Sequence, residues 1–183
     1  MRHILLVDGY NVIGTWPSLR EIRDTISLQE ARDRLIALLD EYAAMTSEEV
    51  VLVFDAIYQQ PGLRKPQSSG KVVVLFSQAG ETADQVIERV ATRLVRSGCA
   101  VRVATSDAAE QSYIFGIGAL RCSTRELWGE VEASQQAIAQ RLREQREQKM
   151  RLGERIDPKL YEKLGQLPPP PPLPQARNKH HAR

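Results

Sequence analysis

The chain has 183 residues, of which 42% are hydrophobic and 26% are charged, and its formal net charge is +2. These values are typical of a soluble globular protein with one good core, and they exclude a strongly basic nucleic-acid-binding protein. No run approaches the roughly 20 apolar residues of a membrane span, and the apolar run after Met1 is too short for a signal peptide. We therefore expect a cytoplasmic protein without a membrane segment.

The first element is an apolar run that ends abruptly in polar residues. Residues 4–7 are aliphatic without alternation, and Asp8, Gly9 and Asn11 follow. Such a run suits a central parallel strand covered on both faces, and a carboxylate at its exit would lie in the crevice where open α/β sheets bind ligands. Gly9 would let the chain turn sharply and bring Asn11 back beside Asp8. The structural alternative is that Asp8 caps the next turn and Asn11 bonds local backbone.

Helical and strand patterns then alternate along the chain. Three capping boxes predict helix starts at Ser27 with Glu30, Thr82 with Gln85, and Ser123 with Glu126. Apolar runs predict strands at 50–54, 72–76, 100–105 and about 119–122. We expect loops at 15–17 and 59–70, the second polar and mobile, and a short helix that ends at Tyr113. This alternation predicts βαβ units and a parallel sheet with helices on both faces.

Composition divides the chain into three parts. Residues 1–135 contain the strands and form the predicted α/β domain. Residues 136–164 form a charged helical extension, in which the apolar periodicity fades beyond about Arg141. Residues 165–183 contain a polyproline run at 168–172, and we expect a disordered tail. The extension and tail are more basic, since residues 125–183 carry 12 Lys and Arg against 8 Asp and Glu, whereas residues 1–124 carry 13 against 15.

Four acids fall at corresponding places in the predicted sheet. Asp8, Asp55 and Asp107 each follow a strand, and Asp84 lies in the first turn of a helix that follows another. Two like charges about 4 Å apart repel by roughly 4 kcal/mol at an effective dielectric of 20, and a hard divalent cation would offset this repulsion. Mg²⁺ or Mn²⁺ suits such an oxygen-only site. Alternatively, first-turn acids favour helix N-termini, which explains Asp84 and Asp107 but neither Asp8 nor Asp55.

The remaining catalytic residue types are scarce. The chain has three histidines, two of them at positions 180 and 181 in the predicted tail. It has no serine nucleophile elbow and no glycine-rich phosphate loop. The chemistry that remains is metal-assisted hydrolysis of a phosphate ester.

Four blocks of the sequence, in this order, resemble the YacP-like NYN domain proteins of the PIN-like nuclease superfamily. They are residues 6–13, which contain Asp-Gly-Tyr-Asn, and residues 53–56, 80–88 and 104–107. The resemblance covers roughly residues 2–135. It implies a three-layer α/β/α sandwich with a central, mainly parallel sheet, here followed by the helical extension. It also implies a divalent-metal endoribonuclease linked to mRNA decay and, in parts of the family, to ribosomes.

The resemblance also assigns roles to individual residues. Asp8, Asp84 and Asp107 match the acidic metal positions, and Asn11 matches the amide that accompanies them. Asp55 and Glu81 also fall in matching blocks, where a structural role for the acid is the alternative. Water would attack phosphorus in line, leaving a 5′-phosphate and a 3′-hydroxyl.

Other residues are candidates for substrate binding. Ser106 and Asn11 would orient water or a substrate phosphate. Arg64 and Lys65, in the polar loop, would contact the RNA backbone, which an acidic site repels. Further cationic candidates are Arg20, Arg23, Arg141, Arg143, Arg146, Lys149 and Arg151. Aromatic candidates for stacking an unpaired base are Tyr10, Trp16 and Tyr58, although core packing is the favoured interpretation of Trp16.

Two other functions remain compatible with the sequence. The protein could be a non-catalytic module that binds RNA or a ribosome through its cationic extension, with structural acids. It could also be a metal-dependent phosphohydrolase of small molecules, although Val-Asp-Gly-Tyr-Asn lacks the Asp-x-Asp pair of aspartyl-phosphate phosphatases.

Overall fold

A computed structural model of the protein describes residues 1–56, 67–78, 80–106, 114 and 116–155. The elements in these ranges are β1 (His3–Asp8), α1 (Gly9–Thr15), α2 (Pro17–Thr25), α3 (Leu28–Met45), β2 (Glu48–Phe54), β3 (Gln67–Ser69), β4 (Val72–Phe76), α4 (Ala83–Arg96), β5 (Ala100–Ala104), β6 (Leu120–Cys122) and α5 (Thr124–Arg155). Met1–Ala139 forms one compact unit, and a second unit begins at Gln140. No helix in the described ranges is both long enough and apolar enough to cross a membrane.

The strands form one sheet in the order β3-β4-β2-β1-β5-β6. All neighbours are parallel except β3 and β4, which are antiparallel. The chain moves outward from β1 through β2 to β4, and then returns to the other side of β1 to form β5 and β6. The strand order therefore reverses between β1 and β5, which is the switch point where open α/β sheets form a ligand crevice. The predicted α/β architecture with a mainly parallel sheet is confirmed.

The central strand β1 supplies both hydrophobic cores of the first unit. Leu5 and Val7 pack with apolar residues of α1, α2, α3 and α5, whereas Ile4 and Leu6 pack on the opposite face with apolar residues of α4. All four side chains are at most 2% exposed. Because both faces of the strand are covered, its sequence has no polar alternation. This burial fixes Asp8, the last residue of β1, at the carboxyl-terminal end of the strands.

The connection after β1 differs from the prediction. α1 begins directly after Asp8 and runs to Thr15, and Pro17 begins α2, so only Trp16 separates two helices where a loop was expected. Proline suits this first helical position because its missing N–H has no partner there in any helix. Gly9 also has a different role from the predicted one, because its φ is not positive. A Cβ on Gly9 would lie 2.2 Å from a ring carbon of Phe54, so the residue must be glycine for space.

Substitution of the two glycines of α1 tests this steric role. Gly9→Ala should destabilise the fold by about 1–3 kcal/mol, since the added methyl overlaps the buried ring of Phe54. Gly14→Ala should be neutral or stabilise by up to about 1 kcal/mol, because a Cβ there meets no atom within 4 Å and alanine favours the helix. Urea denaturation of both variants measures the difference. Equal stabilities would contradict the close approach of Phe54 to Gly9.

Three further regions bear on the predicted elements. Gln67–Ser69, at the end of the predicted loop 59–70, forms the edge strand β3. α5 continues to Arg155, beyond the point where the helical pattern fades, and Gln140 donates a hydrogen bond of 3.0 Å to Glu144 one turn later. The predicted helix ending at Tyr113, residues 59–66 of the polar loop and the proline-rich tail lie outside the described residues. The division of the chain at residues 135 and 164 stays a prediction.

Candidate active site

Asp8 lies where β1 meets α1 and is half-buried. Its Oδ1 accepts a hydrogen bond of 3.0 Å from the backbone N–H of Asn11, so Asp8 is also the N-cap of α1, as the structural alternative predicted. Burial raises the pKa of its carboxyl, the backbone N–H groups of Asn11 and Tyr10 lower it, and the charges of Asp84 and Asp55 raise it further. The sheet thus brings Asp84 and Asp55 within electrostatic reach of Asp8.

Asn11 contributes an unpartnered oxygen beside Asp8. Its Oδ1 is buried and has no hydrogen-bond partner among the residues that the structure describes. A buried amide oxygen in this condition is unusual and requires an explanation, such as an ordered water or a bound ion. Amide and carboxylate oxygens together form the donor set that hard divalent cations prefer.

Asp84 reaches the same edge from α4. A complete capping box sets the start of this helix, because Gln85 N–H donates to Thr82 Oγ1 at 3.3 Å and Thr82 N–H donates to Gln85 Oε1 at 3.1 Å. This confirms the capping box predicted there. Asp84 lies in the first turn and is half-buried. Thr82 already caps this helix, and the charge of Asp84 raises the pKa of Asp8.

The other two acids of the motif blocks have protein partners. Asp55 accepts a hydrogen bond of 3.3 Å from the hydroxyl of Ser77, which is 2% exposed. Glu81 forms an ion pair with Arg89 and accepts a hydrogen bond of 3.3 Å from the backbone N–H of Gln78. These contacts give Glu81 a structural role in shaping the turn before α4.

Within the described ranges, no group of three His, Cys, Asp or Glu side chains is arranged to hold a metal ion. Asp107, the fourth predicted site acid, lies outside those ranges. The candidate oxygens of the described residues belong to Asp8 and Asn11, which are joined by the hydrogen bond at the start of α1, and to Asp84, whose charge acts on Asp8. Two carboxylates and an unpartnered amide oxygen fit the chemistry of Mg²⁺ or Mn²⁺.

Ser106 follows β5, the neighbour of β1 at the switch point, and is exposed. Its hydroxyl lies 2.6 Å from the hydroxyl of Thr124, whose carbonyl accepts a hydrogen bond of 2.9 Å from Trp16 Nε1. Trp16 is 1% exposed, which confirms core packing and removes it as a stacking platform. Arg64, Lys65 and Tyr58 lie outside the described residues.

One cation near the site is missing from the sequence-based candidates. Arg32, on α3, donates a hydrogen bond of 3.2 Å to the hydroxyl of Tyr10, two residues after Asp8. The polar residues around it suggest a solvated helix face. The sequence held one sign that Arg32 faces the protein. Leu28 lies one helical turn earlier and belongs to the apolar stripe of α3, and residues four apart share a helix face.

Comparison with known proteins gives concordant results. The profile of the YacP-like NYN domain matches residues 5–168. The uncharacterized protein YacP of Bacillus subtilis (strain 168) is 48% identical over 140 residues, which cover 76% of this chain and 81% of that protein. A crystal structure of Rae1 (YacP) from Bacillus subtilis matches with a TM-score of 0.68 and 44% identity, over 88% of this chain and 94% of that one. A mutant of the same protein matches with a TM-score of 0.65 and 45% identity, over 77% and 81%.

Proposed function

Because the chain belongs to the YacP-like NYN domain family, a branch of the PIN-like nucleases, we propose that it is a divalent-metal-dependent endoribonuclease. Two observations support the proposal. Asp8, at the end of β1 beside the switch point, is coupled electrostatically to Asp84, and the buried Oδ1 of Asn11, in the first turn after Asp8, has no partner among the described residues. A core-stabilising role would favour neutral or paired groups in this position, since burial and like charge both oppose ionisation of Asp8.

The residues that would hold Mg²⁺ or Mn²⁺ are Asp8, Asp84 and Asp107, with Asn11 beside them and Asp55 as a further acid. When bound, such a cation supplies Lewis-acid charge for the phosphate oxygens and makes water more acidic. Asp55 has the smaller role of the four acids in this proposal, because its carboxylate already accepts the hydroxyl of Ser77. Asp84 and Asp8 approach from different elements, so the distance between them depends on the packing of α4 against the sheet.

The chain itself orients the reacting groups. The N–H of Asn11 holds Oδ1 of Asp8, which fixes the plane of that carboxylate at the first turn of α1. Ser106 presents an exposed hydroxyl at the end of β5, oriented by Thr124, and we assign it to orienting a substrate phosphate. Asn11 would orient a water through Oδ1, its unpartnered buried acceptor, or a phosphate through the N–H donors of its amide. Arg64 and Lys65 are proposed to contact the RNA backbone.

The proposed substrate is mRNA, cut internally in the cytoplasm, either free or on the ribosome. The nuclease family supports RNA as the substrate class. The net charge of +2 gives little general attraction for nucleic acid, so the choice of target would depend on local cationic contacts or on a partner such as the ribosome.

An end-labelled, long single-stranded RNA tests the proposal. Wild-type protein should make internal cuts with Mg²⁺ or Mn²⁺ and none with a chelator. Asp84→Asn should lose these cuts, whereas Glu132→Gln, which removes an exposed acid of α5, should keep them. Cuts that persist in chelator or in Asp84→Asn would contradict the assignment.

A negative result has two distinguishable forms. RNA binding without cuts, on free RNA and on translating ribosomes, would favour the non-catalytic binding module. Release of phosphate from a small phosphomonoester, with no cuts in RNA, would favour the small-molecule phosphohydrolase.

A further inference from the structure

Arg32 is held in place by neutral groups. Its Nη1 donates to the hydroxyl of Tyr10 at 3.2 Å, and its Nη2 donates to the side-chain oxygen of Gln29. Its Nε is buried and has no hydrogen-bond partner among the described residues. A guanidinium has five N–H donors, so these two hydrogen bonds leave most of its donors unused.

Arg32 combines partial burial with the lack of a carboxylate partner. The other described arginines of the first unit without an ion pair are exposed, namely Arg20, Arg34, Arg93, Arg96, Arg121 and Arg125. Arg2, Arg23, Arg89 and Arg102 each form an ion pair with an aspartate or glutamate. In the part of the chain that the structure describes, no acid forms such a pair with Arg32. The buried Nε of Arg102 also lacks a partner among the described residues, but Arg102 pairs with two carboxylates, whereas Arg32 contacts neutral groups. A buried donor without a partner calls for an explanation, and a bound ligand is one.

Tyr10, the hydrogen-bond partner of Arg32, lines a cavity. The cavity has a volume of about 270 Å³ and is lined by Tyr10, Ile13, Arg23 and Leu28. Leu28 is one turn before Arg32 on α3, and Tyr10 is two residues after Asp8. The hydroxyl that accepts from Arg32 thus belongs to a side chain of the cavity wall. Arg23, which is paired with Asp24, forms part of the same wall.

From this arrangement we propose that Arg32 binds a backbone phosphate of single-stranded RNA next to the cleaved bond, with the adjoining nucleotide in the cavity. The proposal rests on the proposed function and adds a substrate-binding residue to it. The site acids repel the RNA backbone, so a cation close to them is needed to hold the strand. The planar fork of arginine matches phosphate geometry, and a phosphate oxygen would supply the charged acceptor that Arg32 lacks.

The test measures RNA binding, which does not require cleavage. A short single-stranded RNA is titrated in chelator at several salt concentrations against wild type, Arg32→Gln, Arg32→Lys and Arg34→Gln. Arg34 is an exposed arginine of the same helix and serves as the matched control. Arg32→Gln should weaken binding by about tenfold and reduce the slope of log affinity against log salt by about 0.7, the value for one contact to a single strand. Arg32→Lys should lie between Arg32→Gln and wild type, because it keeps the charge and loses the fork.

Equal affinities of Arg32→Gln and Arg34→Gln for RNA would overturn the inference, as would an unchanged salt slope.

A polyglutamate of matched length is the second probe. If Arg32→Gln weakened binding to polyglutamate and left RNA binding intact, an acidic protein partner would replace RNA and the inference would fail. Urea denaturation of the same variants detects a purely structural role, in which Arg32→Gln unfolds more readily but binds RNA as wild type does. Cleavage of long RNA by the wild type is scored separately, so the proposed function can fail while the binding result stands.

Discussion

Replacement of Asp8 by asparagine should reduce the rate of metal-dependent RNA cleavage by about 100-fold or more, since loss of groups that only orient a metal ligand already costs up to about that factor. The change removes one negative charge and one carboxylate oxygen at the end of β1 and preserves the shape of the side chain. The remaining oxygens, on Asn11 and Asp84, would hold a divalent cation more weakly.

The same variant should be at least as stable as the wild type. The amide oxygen of asparagine can still accept the N–H of Asn11, and asparagine caps helices as well as aspartate does. The carboxyl pKa of Asp8 is raised by burial and by the charges of Asp84 and Asp55, so its ionised form opposes folding above the ordinary pKa of 3.8. A neutral side chain removes this penalty at neutral pH.

The two effects are measured on the same preparation. Urea denaturation in chelator gives the free energy of unfolding, and cutting of end-labelled RNA gives the rate. Glu132→Gln is the control for loss of an acid outside the site. If the Asp8→Asn variant cut RNA at the wild-type rate, the assignment of Asp8 to the active site would be refuted. If the variant unfolded more easily than the wild type, the role of Asp8 would be mainly structural.

The second large effect is expected on stability, from substitution of Arg102, which has no role in the candidate active site. Its guanidinium bonds Glu130 through two nitrogens at 2.7 Å, and it also bonds Glu48 and the hydroxyl of Tyr42, each at 2.8 Å. These side chains come from β5, α5, β2 and α3. The network therefore joins two strands of the sheet to two helices that pack on the same face of it. Arg102→Met should destabilise the fold by about 3 kcal/mol, because it leaves two partly buried carboxylates without their cation.

The stability lost in Arg102→Met should decrease as the pH falls. The hydrogen bond from Arg102 lowers the pKa of Glu130 despite partial burial. A depressed carboxyl pKa contributes stability above its ordinary value of 4.5, and the contribution disappears as the pH falls below it. The difference in stability between wild type and Arg102→Met should therefore be large at pH 7 and shrink as the pH falls from 4.5 towards 3.

An exposed ion pair provides the control for this prediction. Arg2 pairs with Glu49 at the start of the same sheet, but both side chains are more than half exposed. Arg2→Met should change the free energy of unfolding by less than about 1 kcal/mol. Adding Glu48→Gln and Glu130→Gln to Arg102→Met should restore much of the lost stability. If Arg102→Met were no less stable than Arg2→Met, the network would have no role in holding the layer together.

Much of the fold was predictable from local patterns. The unbroken aliphatic run at residues 4–7 predicted a doubly covered strand, and the structure buries all four residues. The three capping boxes predicted the starts of α3, α4 and α5, and Ser27, Thr82 and Ser123 accept the expected backbone N–H groups. These signals are readable because each depends on residues a few positions apart, whose period or hydrogen bonding is set by the helix or strand itself.

Long-range packing produced the differences. The sequence suggested a glycine turn at Gly9 and a loop around Trp16, but the ring of Phe54, 45 positions later, requires a residue without Cβ at 9. Trp16 is likewise bonded to the carbonyl of Thr124 and packs edge to face on Trp128, with ring centroids 4.8 Å apart. A pattern within a few residues has no information on such neighbours.

The candidate site shows the same division. By itself, the sequence determined which acids fall after strands, because acids that follow parallel strands share one edge of the sheet in any such fold. Asp8 ends β1, Asp55 follows β2, and Asp84 lies in the first turn of α4. The tertiary structure alone decided their environments: Asp55 and Glu81 have protein partners, the amide oxygen of Asn11 has none among the described residues, and Arg32 from α3 lies beside Tyr10. The physical reason is that burial and pairing depend on residues distant in the chain, whereas the position of an acid at a strand end depends only on where that strand stops.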